Sequence, residues 1–334
     1  MRIACFGEIL IRFSAANGAR LVDAGLFESH VGGAEANVAC ALAALGHEVT
    51  MASVVPDSEL GRRAIGELRR SGVDTAAIHL TSGRMGLYFW EKGAGRRSAQ
   101  IVYDRAGSTF ACAPFPFACQ EDLLQNCRLL HVSGISLALS DASQACLLGL
   151  IGEAQARGII VSFDCNFRPS LWAARGIDPR GPLREAIGMC DILFASHKDM
   201  ALILNWQSRD QGLERRRAAA LAAFEAFPNL RMIASTAREI VDDHMHRITG
   251  RMDFMESAHS TAEIAIGGIV DRIGTGDAFV AGILDGRIRG TPPDETLARS
   301  MALMELKHGT AGDFTRFTQN DVTLMLMGQS DIRR

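Results

Sequence analysis

The sequence lacks the features of several large classes of protein. Its eight cysteines include no Cys-x-x-Cys pair and lie mostly among apolar neighbours, which is typical of buried, reduced thiols. No apolar run is long enough to span a bilayer, and Glu8 interrupts the first one, where a secretory leader needs a continuous apolar segment. The net charge of −3 indicates no basic surface for nucleic acid. We therefore expect a cytoplasmic protein without a membrane or nucleic-acid partner.

Tyrosine is also scarce, and its distribution is informative. The chain has only Tyr88 and Tyr103, and both lie in a region without helical periodicity. Residues 85–90 and 100–104 there alternate like strands outside the main sheet. A tyrosine combines an apolar ring with a polar tip, which suits a polyhydroxylated ligand or an interface, although ordinary packing of a small sheet explains it equally well.

The rest of the chain alternates apolar strands with helical segments. Strands with nearly continuous apolar character, separated by helices, indicate a parallel sheet covered on both faces. The predicted strands cover 3–9, 49–55, 129–133, 159–164, 192–195 and 230–235, and the predicted helices 34–45, 58–70, 142–156, 277–288, 294–309 and 320–327. We expect an α/β core formed by 1–11, 33–83 and 111–334, with a β lid formed by 12–32 and 84–110.

A glycine-rich turn stands before the helix predicted at 277–288. It reads Gly274-Thr275-Gly276-Asp277, and a turn of this kind at a helix N-terminus presents unpaired N–H groups that bind anions such as phosphate. A carboxylate beside an anion site suits a base that removes the proton from a hydroxyl about to be phosphorylated. The alternative is that Asp277 is simply an N-cap.

A second glycine segment begins the first long helix. Gly32-Gly33 allows close approach of a ligand to the backbone, and Asn37 can donate and accept hydrogen bonds, although a Gly-Gly pair is also a common loop-to-helix entry. Together, Gly33-x-x-x-Asn37 and the distant Gly274–Asp277 turn resemble the two signatures of the ribokinase-like (PfkB) sugar kinases. The resemblance covers almost the whole chain. It implies a three-layer α/β/α sandwich with a mostly parallel central sheet and a small β-sheet lid.

Further segments resemble the 2-keto-3-deoxygluconate kinase branch of that family. They are Tyr103-Asp104-Arg105 in the lid and Asp164-x-Asn166-x-Arg168 after a core strand. An arginine fork binds carboxylate in bidentate fashion better than lysine does. We therefore assign Arg105 and Arg168 to recognition of a sugar acid, with a structural ion pair as the alternative for each.

The resemblance implies a role for each remaining site residue. Asp277 would be the general base, with the N–H groups of Gly274, Thr275 and Gly276 stabilising the transferred phosphoryl group. Gly33, Asn37, Tyr88 and Tyr103 would hold the substrate. The nucleotide contacts would come from Asn166, Arg168, Ser196, Ser235, Thr236, Arg238, Gly274 and Gly276.

The chain departs from the family pattern at two places. Many members have Asn-x-x-Glu where this chain has Ser196-His197-Lys198-Asp199, so Asp199 would act on Mg²⁺ through water with a shorter reach. The nucleotide turn at Thr236 lacks the usual glycines. ATP and Mg²⁺ are nevertheless the cofactors that the resemblance implies.

The expected activity is ATP-dependent phosphorylation of the terminal C6 hydroxyl of 2-dehydro-3-deoxy-D-gluconate, in Entner–Doudoroff-type or uronate catabolism. The alternatives are a family member acting on a neutral sugar such as fructose or ribose, and a catalytically silent ligand-binding protein on the same fold. A nicotinamide-dependent oxidoreductase would need Gly-x-Gly-x-x-Gly in the first strand–helix turn, which Phe6-Gly7-Glu8-Ile9 does not supply. Apolar strands at 88–90, expected to be exposed, indicate a partner surface and hence a homo-oligomer.

Overall fold

The computed structural model describes residues 2–93, 97–113, 115–242 and 245–328, without the side chains of 117–119. Fourteen strands lie in these ranges: β1 (Arg2–Phe6), β2 (Leu10–Ala15), β3 (Phe27–Gly32), β4 (Glu48–Pro56), β5 (Ile78–Thr81), β6 (Gly86–Glu91), β7 (Gln100–Asp104), β8 (Cys127–Ser133), β9 (Ile160–Asp164), β10 (Ile192–Phe194), β11 (Met232–Asp242), β12 (Met245–Asp253), β13 (Ala258–Ser260) and β14 (Ile264–Gly267).

Thirteen α-helices connect the described strands or follow them: α1 (Ala34–Ala44), α2 (Glu59–Arg70), α3 (Thr109–Cys112), α4 (Phe117–Leu124), α5 (Gly134–Leu139), α6 (Asp141–Ala156), α7 (Pro169–Arg175), α8 (Arg180–Ile187), α9 (His197–Leu204), α10 (Gly212–Ala226), α11 (Thr275–Arg289), α12 (Pro293–His308) and α13 (Gln319–Leu326). The helices and core strands predicted from the sequence are present, with ends shifted by a few residues. The exception is β11, which runs beyond the predicted 230–235 to Asp242. No described helix combines the length and the apolarity that crossing a bilayer requires.

The large sheet has the order β13-β12-β11-β10-β9-β8-β1-β4-β5, with β14 also paired to β12. Seven neighbouring strands of this sheet run parallel to one another: β5, β4, β1, β8, β9, β10 and β11. Strand β12 pairs antiparallel with β11, β13 and β14. The pleat of β1 sends Ile3 and Cys5 into one apolar core and Ala4 and Phe6 into the other. Because both faces are covered, the architecture is a three-layer α/β/α sandwich with a mostly parallel central sheet, as the sequence predicts.

Four strands, in the order β3-β2-β6-β7, form a separate small sheet. Strand β2 follows β1 after only three residues, so the small sheet stands at the carboxyl edge of the large one. Helix α1 then begins directly after β3, with Gly33 as its N-cap. A side chain at Gly33 would meet the backbone oxygen of Glu8 at 2.3 Å, so only glycine fits this entry.

The described cysteines are free thiols, and Cys5, Cys40, Cys127, Cys165 and Cys190 are buried as expected. Cys146 is half-buried, and Cys112 is exposed at the end of the short helix α3.

Candidate active site

A cavity of about 650 Å³ lies between the carboxyl edge of the large sheet and the small sheet. Its wall includes Glu8 after β1, Asp164 at the end of β9 and Ser196 after β10. The small sheet contributes Tyr88 from β6 and Tyr103 from β7. Ligands of parallel α/β sheets bind at this edge, where the strands end and the helices begin.

The structure brings all of the site residues proposed from the sequence to this one cavity. These residues are Gly33, Asn37, Tyr88, Tyr103, Arg105, Asn166, Arg168, Ser196, Asp199, Ser235, Thr236, Arg238, Gly274, Thr275, Gly276 and Asp277. A position in the wall does not assign a role, so the individual roles stay predictions.

The turn before α11 has the geometry of an anion site. Gly274 is the N-cap with φ 79°, and α11 begins at Thr275. A side chain at Gly274 would meet the backbone oxygen of Asp313 at 2.1 Å, so the turn packs tightly on the loop after α12. No described side chain caps this helix end, which leaves its first N–H groups open to the cavity.

Asp277 lies in the first turn of α11 and is not an N-cap, because Gly274 holds that position. Its Oδ2 accepts a hydrogen bond from Nδ2 of Asn37 at 2.6 Å. Burial raises the pKa of Asp277 to about 6, although the Asn37 hydrogen bond and the charge of Arg168 oppose the shift. A carboxylate with this pKa is ionised and still basic near neutral pH, which suits a general base.

Two more carboxyls of the wall, Glu35 and Asp164, were missed as functional residues by the sequence reasoning. Burial raises the pKa of each to about 7, and the negative charge of Asp277 adds to both shifts. Ser133 Oγ donates to Glu35 Oε1 at 2.6 Å, and the Asn166 N–H donates to Asp164 Oδ1 at 3.0 Å. The sequence contained one signal of a functional position for each residue. Asp164 ends a predicted parallel strand, and Glu35 lies within the Gly33–Asn37 segment.

The two arginines assigned to the sugar acid differ in their surroundings. Arg105 is buried, and its Nε and Nη2 both donate to Oε2 of Glu8, the Nε at 2.8 Å. Ser108 Oγ donates to the other Glu8 oxygen at 2.5 Å. Arg168 is exposed at the N-cap of α7, and its guanidinium makes no hydrogen bond or ion pair with any described residue. Arg168 is therefore free to bind an anion, whereas the Arg105 fork already holds a carboxylate.

Two further arginines, Arg238 and Arg272, line the cavity. Burial, together with the nearby charge of Arg272, lowers the pKa of Arg238. Neither guanidinium has a carboxylate partner within the described ranges. Together they form a cationic part of the wall that suits phosphate groups; the sequence reasoning singled out Arg238 but not Arg272.

One carboxylate oxygen of Asp199 already accepts two hydrogen bonds within the protein. Its Oδ2 accepts from the N–H and the Oγ of Ser196, each at 2.7 Å, in a capping box that begins α9. Among the residues that the structure describes, no group of three side chains is arranged to hold a metal ion. The wall holds the carboxylates of Asp164 and Asp199, which fit a cation that keeps several waters and binds ligand phosphates, as is usual for Mg²⁺ at nucleotide sites.

The expectation of an exposed apolar surface at 88–90 is wrong for Tyr88 and Trp90. Each is 6% exposed, and Tyr88 donates a hydrogen bond to Oδ2 of Asp313 at 2.6 Å. The pleat turns both side chains to one face of the small sheet, where Tyr88 lines the cavity. It leaves Phe89 on the opposite face, with its ring centroid 5.7 Å from that of Phe13. The homo-oligomer stays a prediction.

Comparison with known proteins agrees with this geometry. The chain matches the model of the pfkB family carbohydrate kinases over residues 1–229. It is 32% identical over 326 residues to a 2-dehydro-3-deoxygalactonokinase of Haloferax volcanii, covering 98% of this chain and 96% of that protein. It is 27% identical to a 2-dehydro-3-deoxygluconokinase of Bacillus subtilis, covering 92% of this chain and 90% of that protein.

The fold also matches solved structures. The crystal structure of a 2-dehydro-3-deoxygluconokinase from Thermotoga maritima superposes with a TM-score of 0.91 at 29% identity, covering 98% of this chain and all of that one. Since the family model and the relatives agree with the site at the carboxyl edge of the sheet, this chain belongs to the PfkB family of carbohydrate kinases and is a sugar kinase.

Proposed function

We propose that this protein transfers the γ-phosphoryl group of ATP to the terminal C6 hydroxyl of 2-dehydro-3-deoxy-D-gluconate, for use in sugar-acid catabolism. The observation that carries the choice of a sugar acid is Arg168. Its guanidinium faces the cavity without a carboxylate partner, and its charge reaches Asp277 and Asp164. A neutral sugar would offer this guanidinium no carboxylate to bind in bidentate fashion.

The chemistry follows from the residues of the turn. The carboxylate of Asp277 takes the hydroxyl proton while that oxygen bonds to the γ-phosphorus and the bond to the ADP oxygen breaks. Asn37 holds Asp277 in place through the 2.6 Å hydrogen bond. The open N–H groups at the start of α11 stabilise the negative charge on the phosphoryl oxygens as they pass between donor and acceptor.

Arg238 and Arg272 supply the positive charge that the phosphates of a nucleoside triphosphate need in this wall. Polar contacts to the nucleotide come from Ser196, Ser235 and Thr236. A bound Mg²⁺ would neutralise part of the phosphate charge, and Asp199 and Asp164 of the wall are the carboxylates that would orient its water shell.

A second candidate is the galactonate epimer of the same sugar acid. It is favoured by the relative at 32% identity, which is a 2-dehydro-3-deoxygalactonokinase. Both epimers carry the carboxylate and the terminal hydroxyl, so Arg168 and Asp277 serve them equally. The C4 hydroxyl that distinguishes the epimers must be recognised by other residues of the wall.

The test is ADP release with ATP and Mg²⁺ over both epimers, gluconate, fructose and ribose. We expect the highest kcat/KM with a 2-dehydro-3-deoxy sugar acid and a product phosphorylated on the terminal carbon, as located by phosphorus–proton NMR. An Asp277→Asn preparation measured in parallel shows that the turnover belongs to this protein and not to a contaminant. Higher kcat/KM on fructose or ribose than on either acid would overturn the proposal.

A further inference from the structure

The small sheet reaches the turn before α11 through Arg12, a side chain that the sequence analysis did not single out. Arg12 lies on β2 and is 0% exposed. Its Nη2 donates to Oδ2 of Asp271 at 2.6 Å and its Nη1 to Oδ1 at 3.2 Å. Asp271 lies three residues before Gly274, so the bidentate ion pair between Arg12 and Asp271 fixes the start of the turn.

The same carboxylate also organises the backbone around the turn. Oδ1 of Asp271 accepts the N–H of Ile273 at 2.9 Å, and Oδ2 accepts the N–H of Gly312 at 3.1 Å. Gly312 belongs to the loop that packs against Gly274. Asp271 thus joins the turn to this loop, and Arg12 holds Asp271.

Arg12 also contacts Asp313, which lines the cavity, and Trp90 of the small sheet. Its Nε lies 3.1 Å from Oδ1 of Asp313, whose Oδ2 accepts the Tyr88 hydroxyl. Its guanidinium lies over the Trp90 ring, 4.9 Å from the centroid. Ile273 of the turn packs against Leu10, Tyr88 and Trp90 of the small sheet. The small sheet therefore holds the turn by an ionic contact and an apolar one.

We propose that Arg12 is a positioning residue, which ties the phosphoryl-binding turn to the small sheet and so keeps the N–H groups of 274–276 and the Asp277 carboxylate aligned. The proposal rests on the proposed kinase chemistry at this turn. It predicts that loosening Arg12 affects the rate of transfer more than substrate affinity, because Arg12 does not line the cavity and its bidentate contact is with Asp271 at the start of the turn. A misplacement of about 1 Å costs roughly 100-fold in rate.

The test compares Arg12→Lys with Arg63→Lys. Arg63 also joins the core to the small sheet, since it donates from α2 to Ser29 Oγ at 2.8 Å and to the Ser29 backbone oxygen at 2.9 Å. It does not touch the turn. Lysine keeps the charge in both variants but cannot reproduce a two-pronged contact.

For Arg12→Lys we expect kcat to fall by roughly 10–100-fold, a much smaller change in KM for the sugar acid, and faster amide hydrogen exchange at Ile273 and Gly312, whose N–H groups donate to Asp271. For Arg63→Lys we expect wild-type kcat and wild-type exchange at those amides. A lower melting temperature of Arg12→Lys with kcat and turn exchange unchanged would make Arg12 purely structural and overturn the proposal.

If Arg12→Lys does not fold, Asp271→Asn weakens the same contact from the other side and must show the faster exchange. Wild-type exchange in the folded Asp271→Asn variant would also overturn the proposal. The exchange measurement needs no turnover. An absence of kinase activity in the wild type would therefore refute the proposed function. The exchange measurement would still decide whether Arg12 positions the turn.

Discussion

Asn37 and Asp277, which are 240 residues apart, share a hydrogen bond of 2.6 Å between Nδ2 and Oδ2. The contact joins the first turn of α1 to the first turn of α11 at the wall of the cavity. An amide donor can stabilise the ionised carboxylate without adding a charge, and it fixes which oxygen remains free. The pair therefore orients the proposed base and limits the rise of its pKa.

Replacement of this base gives the first prediction. Asp277→Asn should lower kcat by ~10²–10⁴-fold, because a positioned base contributes about that much to proton transfer. Binding of the sugar acid should survive, since asparagine has nearly the same shape. Steady-state kinetics and calorimetric titration measure the two effects separately. Turnover like that of the wild type would remove Asp277 from the chemistry.

The choice of a charged substrate leads to the second prediction. Arg168→Lys should raise KM for the sugar acid by roughly 10–100-fold, since a hydrogen bond to a charged group contributes about 1.5–3 kcal/mol. Activity on a neutral sugar should change much less. An equal loss on charged and neutral substrates would place Arg168 in nucleotide binding or in folding.

Arg105 offers a contrast to Arg168. Its fork holds buried Glu8, so Arg105→Lys should lower the melting temperature as well as alter the kinetics. Arg168→Lys, at an exposed position without a protein partner, should leave the melting temperature unchanged.

The third prediction concerns the pH dependence of stability. Burial raises the pKa of Glu35 from 4.5 to about 7, so the folded state binds its proton more tightly than the unfolded state does. The contribution of Glu35 to the free energy of unfolding therefore falls as the pH rises from about 4.5 to 7, and it is constant above that range. Glu35→Gln removes the titration and keeps an acceptor for Ser133.

Glu35→Gln should consequently be more stable than the wild type at pH 8, by at most roughly 3 kcal/mol. The difference should shrink as the pH falls toward the ordinary range of a glutamic acid. Urea unfolding of both proteins across this range measures it. A difference that does not vary with pH, or that grows toward acid, would contradict the raised pKa.

The fourth prediction concerns the small sheet as a lid. Closure over the sugar acid would exclude water that could otherwise accept the phosphoryl group. A saturating concentration of substrate should therefore slow amide hydrogen exchange across 84–110. Segment 142–156, a helix remote from the cavity, serves as the internal reference. Unchanged exchange in 84–110 would argue that the sheet is a fixed wall.

Local patterns in the sequence determined the elements and the chemistry of the turn. Apolar runs of strand length between helical segments are sufficient to predict the parallel sheet, because strand and helix periodicities are local properties. The Gly274–Asp277 turn was predictable for the same reason, since glycine backbone freedom and a helix start lie within a few residues of one another. Family resemblance then supplied the residues that line one cavity.

Only the tertiary structure decided which partner each long polar side chain has. Arg105 could bind a substrate or an internal carboxylate, and Glu8, 97 residues away, holds it. Arg12 gave no local signal, because its partner Asp271 is 259 residues away. The raised pKa values of Glu35 and Asp164 likewise depend on burial by distant elements. Such contacts join residues that are remote in the chain, and local sequence patterns carry no information about them.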